Sequence, residues 1–134
     1  MRIGRSRRSG FTLIELMIVM AIVVILIATA IPQYQKSLIR AKESVLKNNL
    51  FTIRMMLDEY SYDKQKAPQR LEDLVQEGYL REVPRDPMTG NNTSWRIIQE
   101  DASQATSSTE PGIFDIRSGS DKISLEGTPY SEWD

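Results

Sequence analysis

Hydrophobic positions are nearly continuous along the first third of the chain and then become periodic. Between residues 11 and 31 the only polar side chains are Thr12, Glu15 and Thr29, and residues 16–28 form an unbroken apolar run. A helix over residues 11–31 rises about 31 Å at 1.5 Å per residue, close to the hydrocarbon thickness of a bilayer, which predicts a membrane-spanning segment. Pro32 lacks an N–H and crowds the carbonyl four residues back, so the helix is expected to kink or loosen near Ala28 before it resumes. Beyond it Tyr34, Leu38, Ala41 and Val45 recur at helical spacing, as do Leu46, Leu50, Ile53, Leu57 and Tyr60. Lys36, Arg40, Lys42, Glu43, Lys47, Arg54, Asp58 and Glu59 fill the remaining faces. Steps of three and four place each apolar set on one face, so both stripes are expected to pack as core of an amphipathic helix.

Residues 61–68 are polar and end in Pro68, where the long helix should stop. A short helix is predicted over residues 70–77, with Leu71, Leu74 and Val75 on one face and Gly78 as its C-terminal stop. Asp86-Pro87 and Thr89-Gly90-Asn91-Asn92 predict turns, because proline presets the backbone and glycine and asparagine tolerate left-handed conformations. Residues 94–99 and 113–117 are strand candidates, separated by a polar loop over 101–112. The tail, 118–134, has little periodicity, but Tyr130 and Trp133 offer enough apolar surface to anchor it on the sheet. The expected fold class is α+β. A long N-terminal helix, transmembrane in its first half, packs through its second half on a short helix and a small antiparallel sheet. The expected organisation is a basic leader over 1–10, the spanning helix over 11–32 and a globular domain over 33–134.

Composition narrows the chemistry. The 134 residues include no Cys and no His. Thiol nucleophiles, imidazole bases, the usual zinc sites and disulfides are thereby excluded, and no catalytic constellation of carboxylates is recognisable. The expectation is a protein that is not an enzyme. The net charge of −1 conceals an asymmetry: Arg2, Arg5, Arg7 and Arg8 precede the apolar run, and of 17 basic side chains this leaves 13 against 18 acidic ones. An acidic remainder argues against a nucleic-acid partner. Basic residues beside an apolar span stay on the cytoplasmic side, so the bulk of the chain is expected across the inner membrane, in the periplasm.

The order Gly10-Phe11-Thr12-Leu13-Ile14-Glu15-Leu16-Met17, after a basic leader and before an apolar run, resembles the class III signal of type IV pilins and type II secretion pseudopilins. Glycine leaves the backbone open to a protease, and a carboxylate at Glu15 is anomalous in a segment where it costs on the order of 3 kcal/mol. The resemblance implies cleavage by a prepilin peptidase between Gly10 and Phe11 and N-methylation of the new Phe11 terminus. It also implies that Glu15 pairs with the terminal amine of Phe11 in a neighbouring subunit during assembly. An ordinary secretory signal ending at Ala28-Thr29-Ala30 explains neither Glu15 nor the helical stripe after Pro32. A twin-arginine signal at Ser6-Arg7-Arg8 has its Phe displaced by a residue, and a plain anchor leaves the motif order to coincidence.

The resemblance continues through residues 46–68 and 71–80, through Val83-Pro84-Arg85-Asp86-Pro87 and, more weakly, through residues 127–133. There the chain is similar to the major (G-type) pseudopilin of type II secretion. That family implies a homopolymer joined through the N-terminal helices, an inner-membrane assembly platform driven by an ATPase, minor pseudopilins as partners, and export through a secretin. The alternative is a major or minor subunit of a surface type IV pilus; the absence of Cys leans against it, because those pilins often carry a C-terminal disulfide. Many such pseudopilins bind calcium in the loop before the final Trp. Here Asp121 and Glu126 are the only acids in the matching stretch, and Thr128-Pro129-Tyr130 stands where a further Asp is expected. The cofactor expectation is accordingly none, with calcium as the one candidate.

Overall fold

The computed structural model describes Gly4, residues 10–101, Ser103 and residues 111–134. Most of the leader and most of the loop predicted over 101–112 therefore lie outside the described residues. The elements run α1 (Leu13–Lys64), α2 (Leu71–Gln76), β1 (Arg96–Gln99), β2 (Ile113–Arg117) and a 3-10 turn at Tyr130–Glu132. The chain divides into two compact units, Met1–Leu38 and Ile39–Asp134.

In the first unit every described residue is exposed, and the large apolar side chains from Phe11 to Ile31 each keep well over a third of their surface open. By length and composition this part of α1 is able to cross a membrane. The helix is continuous through Pro32, so the expected loosening does not break it. A proline removes one hydrogen bond, and neighbouring turns sustain the helix around that loss. Thr29 spends its hydroxyl within the helix by donating to the Leu26 carbonyl at 2.9 Å.

In the second unit α1 buries Leu46, Leu50, Ile53, Leu57 and Tyr60, as the spacing predicts. These side chains meet Leu71 and Leu74 of α2, Ile113 and Ile116 of β2, and the aromatic rings of Trp95, Tyr130 and Trp133 in one core. Each buried aliphatic side chain contributes about 1.5 to 3 kcal/mol. The other stripe is corrected: Tyr34, Leu38, Ala41 and Val45 are all exposed. Periodicity places them on one face, but the core of the second unit begins only at Leu46, with Glu43 the first buried side chain of α1.

Helix α2 ends as Gly78 predicts. With φ at 82°, Gly78 lets its own N–H reach the Val75 carbonyl and the Tyr79 N–H reach Leu74, closing a Schellman cap. The two strands pair antiparallel, with Arg96 opposite Arg117 and Ile98 opposite Asp115. Strand β2 has the predicted bounds, whereas β1 starts two residues later than expected. A bulge leaves the exposed Phe114 without a partner between Asp115 and Ile113, and this extra residue turns both Ile113 and Ile116 inward although they are three apart. Arg54 of α1 ties the layers together. Its Nε donates to Asp115 Oδ1 at 2.7 Å, and its Nη2 donates to the carbonyls of Ile116 and Trp133, each at 3.0 Å.

A fully buried carboxylate, Asp86, organises the connections. It accepts the Ser118 hydroxyl at 2.6 Å, the Gly119 N–H at 3.0 Å and the Met88 N–H at 2.9 Å. Gly119 is the residue that fits there, because a Cβ at this position would collide with the Ser94 carbonyl. Replacing Asp86 by Ala strands three donors, and an unsatisfied buried donor costs about 1 to 3 kcal/mol. We expect Asp86→Ala to lower the melting temperature of the full-length protein by at least about 10 °C, since 1 kcal/mol shifts a domain of this size by about 4 to 8 °C. Thermal unfolding followed by circular dichroism checks this, and a shift of only a degree or two would contradict it.

Candidate functional site: the processing and assembly motif

Helix α1 begins inside the motif, at Leu13. Thr12 is the residue before the first helical position, and its Oγ1 accepts the Glu15 N–H at 3.2 Å while its carbonyl accepts the Leu16 N–H at 3.1 Å. A threonine N-cap thus satisfies one of the orphan donors of the first turn, a role the sequence signals by Thr three residues before Glu. Gly10 and Phe11 lie outside the helix, and Phe11 is 84% exposed. An exposed Gly10-Phe11 bond outside the helix is accessible to a protease. The Glu15 side chain sits in the first turn, where the helix dipole favours an anion, and it makes no ion pair among the described residues. The structure therefore brings Gly10, Phe11, Thr12 and Glu15 together within one helical turn and its approach.

The C-terminal stretch, 118–134, is ordered by contacts that the sequence foreshadows only in part. Tyr130 and Trp133 are buried as expected and meet edge to face at 5.1 Å. The Trp133 indole donates to Thr128 Oγ1 at 3.0 Å, and Lys47 Nζ lies 4.9 Å from the ring centroid. Glu43, placed by pattern on a polar face of α1, is buried. Its Oε1 accepts the Leu125 N–H at 2.9 Å and the Tyr130 hydroxyl at 2.8 Å. No signal in the local sequence marks Glu43, since its donors lie more than eighty residues away.

The two acids considered for calcium are each engaged by a cationic side chain. Asp121 Oδ2 takes a hydrogen bond from Arg96 at 2.7 Å, and Arg96 followed by Ser131 holds the Asp121 carboxyl below its ordinary range. Glu126 Oε1 pairs with Lys47 Nζ at 3.2 Å. The carbonyls of Lys122, Ser124, Thr128, Pro129 and Tyr130 already accept backbone N–H groups of the same stretch. A calcium site needs 6 to 8 oxygens, and among the described residues no three acidic or other ligating side chains converge.

Comparison with known proteins now bears on the motif. Residues 5–31 match the family model described as the prokaryotic N-terminal methylation motif. The chain is 37% identical over 99 residues to the type II secretion system core protein G of Pseudomonas aeruginosa, covering 62% of this chain and 70% of that protein. It is 28% identical to core protein G of Klebsiella michiganensis, over 65% of this chain and 72% of that one. It is also 38% identical to the type IV major pilin protein PilA of Myxococcus xanthus, over 72% of this chain but only 41% of the pilin. No solved structure matches. The chain belongs to the type IV pilin-like family. Within that family, core protein G of type II secretion is a relative that it resembles over more than three fifths of both chains.

The environment of Tyr130 yields a pH dependence. Its phenol is pushed up to about 12 from 10.0, first by burial and then by the adjoining Glu43 carboxylate. The folded chain holds this proton more tightly than the unfolded one. The associated stability is complete below pH 10 and is lost as the pH rises through about 12. Tyr79, held by a hydrogen bond to Asp63, also rises to about 12. In an alkaline absorbance titration we expect these two phenols to ionise late, and Tyr130→Phe to remove one of them and flatten the fall in stability between pH 10 and 12. A Tyr130 phenol that titrates near 10 in the folded protein would contradict the buried contact with Glu43.

Proposed function

We propose that the chain is a structural subunit of a type II secretion pseudopilus, which polymerises from the inner membrane to drive protein export. One observation carries this: the Gly10 to Glu15 motif opens an apolar helix whose side chains are left exposed across the whole first unit. Apolar surface on that scale has to be covered, first by lipid and then by other copies of the same helix. The function is assembly rather than catalysis.

In this reading the arginine-rich leader stays in the cytoplasm and the second unit lies in the periplasm. A prepilin peptidase cuts after Gly10 and methylates Phe11. An inner-membrane platform adds subunits beneath minor pseudopilins, and the filament acts against a folded exoprotein. Glu15 supplies the chemistry of assembly. A carboxylate in hydrocarbon costs on the order of 3 kcal/mol alone, and pairing with the Phe11 amine of a neighbour offsets that cost only in the polymer. A second reading, a surface type IV pilus subunit, is favoured by the 38% identity to the Myxococcus xanthus pilin. Deleting the gene separates the two: loss of exported protein with surface pili intact supports the pseudopilus, and the reverse supports the pilus.

Two outcomes follow for the motif. Mass spectrometry of the membrane-extracted protein should find a chain that begins at Phe11 with one added methyl, and a chain beginning at Ile31 would establish a secretory signal instead. Glu15→Ala should be inserted and cut normally yet fail to form filaments, because it leaves a cation without a partner at a cost of roughly 3 to 5 kcal/mol per contact. Glu15→Asp should assemble partially. Electron microscopy of sheared filaments beside an immunoblot for processed monomer measures this, and abundant filaments from Glu15→Ala would rule out the charge pair as the driver.

A further inference from the structure

The stretch over 118–134 raises a problem of charge. In a metal-bound loop, several acids converge on a cation, and that cation holds the loop closed. Here Asp121 and Glu126 point apart to separate partners, Arg96 of β1 and Lys47 of α1. Both of these pairs are well exposed and so contribute little to holding the stretch in place. What is buried is Glu43. Among the described residues it makes no ion pair, and its Oε1 is satisfied by the stretch itself, through the Leu125 N–H at 2.9 Å and the Tyr130 hydroxyl at 2.8 Å.

We infer that this chain closes its C-terminal stretch without a metal ion, by an arrangement of opposite polarity: a buried helix carboxylate, Glu43, gathers donors from the loop. Hydrogen bonds to a charged acceptor are the strong ones, and burial strengthens them further. The two donors are five residues apart: Leu125 lies within the turn in which Ser124 N–H bonds to the Thr128 carbonyl and Tyr130 lies two residues beyond it, so one carboxylate ties that turn to the residue that opens the 3-10 turn. Trp133 is then carried into the core by the 3-10 turn that starts at Tyr130. Glu43 is thus a positioning residue for the end of the domain. The inference rests on side-chain geometry in the second unit and is independent of the filament reading.

The test uses the full-length protein extracted in detergent, with trypsin cleavage at the exposed Lys122 as the readout of opening. Cleavage rate and melting temperature are measured in excess EGTA and in millimolar calcium chloride. The wild-type protein should give the same values in both. Glu43→Ala should be cut roughly tenfold faster or more in both solutions, and Glu43→Gln, which keeps an acceptor oxygen, should fall between it and the wild type. Faster cleavage of the wild type in EGTA, reversed by calcium, would overturn the inference. So would a Glu43→Ala protein cut at the wild-type rate. Should Glu43→Ala fail to fold, the wild-type comparison and Glu43→Gln still decide between the two.

Discussion

Glu15 stands at the head of a helix whose following turns offer only apolar surface, and its carboxylate has no partner among the described residues. Thr12 caps the first turn by accepting the Glu15 N–H through its hydroxyl, so the capping bond is made without the acid's side chain. A charge so placed is costly in hydrocarbon, and a cation that met it there would offset the cost. Under the proposed function the same apolar helix, long and apolar enough to cross a bilayer, would leave it in company, helix against helix. In the proposed function this single residue is what would convert a membrane anchor into a polymerising surface, with cleavage before Phe11 supplying the amine.

The second unit faces a different constraint. It buries a small core without disulfides, and the described residues of 68–134 contribute a six-residue helix, two short strands and a 3-10 turn of regular structure. Polar contacts over long sequence distances supply much of the definition. Asp86 gathers donors from its own turn and from Ser118 and Gly119, Arg54 spans β2 and the Trp133 carbonyl, and Glu43 holds Leu125 and Tyr130. Each of these charged groups is matched by several hydrogen bonds, which is the condition under which burial is tolerable. The part of α1 in the second unit thereby becomes the spine onto which the rest of that unit is fastened.

What the sequence revealed follows from what periodicity measures. Spacing identified Leu46, Leu50, Ile53, Leu57 and Tyr60 as one face, and all five are buried. The same logic grouped Tyr34, Leu38, Ala41 and Val45, and they are exposed, because spacing reports which residues share a face and not whether anything covers it. Gly78 and the bounds of β2 were legible from local backbone preference, whereas β1 is shorter than the strand predicted over 94–99. Glu43 and Asp86 were invisible as organising residues. One looked like a solvated helix position and the other like a turn former, since their partners are distant in sequence. At the N terminus the motif was legible as a whole because its parts are contiguous, and the structure added Thr12 as the cap.

The central claim is that Glu15 of one subunit meets the Phe11 amine of another. The most direct measurement is zero-length carbodiimide cross-linking of filaments grown from a mixture of nitrogen-14 and nitrogen-15 labelled subunits, followed by peptide mass spectrometry. The account predicts an amide between Phe11 and Glu15 in peptides of mixed isotope composition, present in filaments and absent from dispersed monomers. Filaments in which Glu15 is joined to no Phe11 of mixed isotope origin, while other carboxylates cross-link efficiently between subunits, would contradict it.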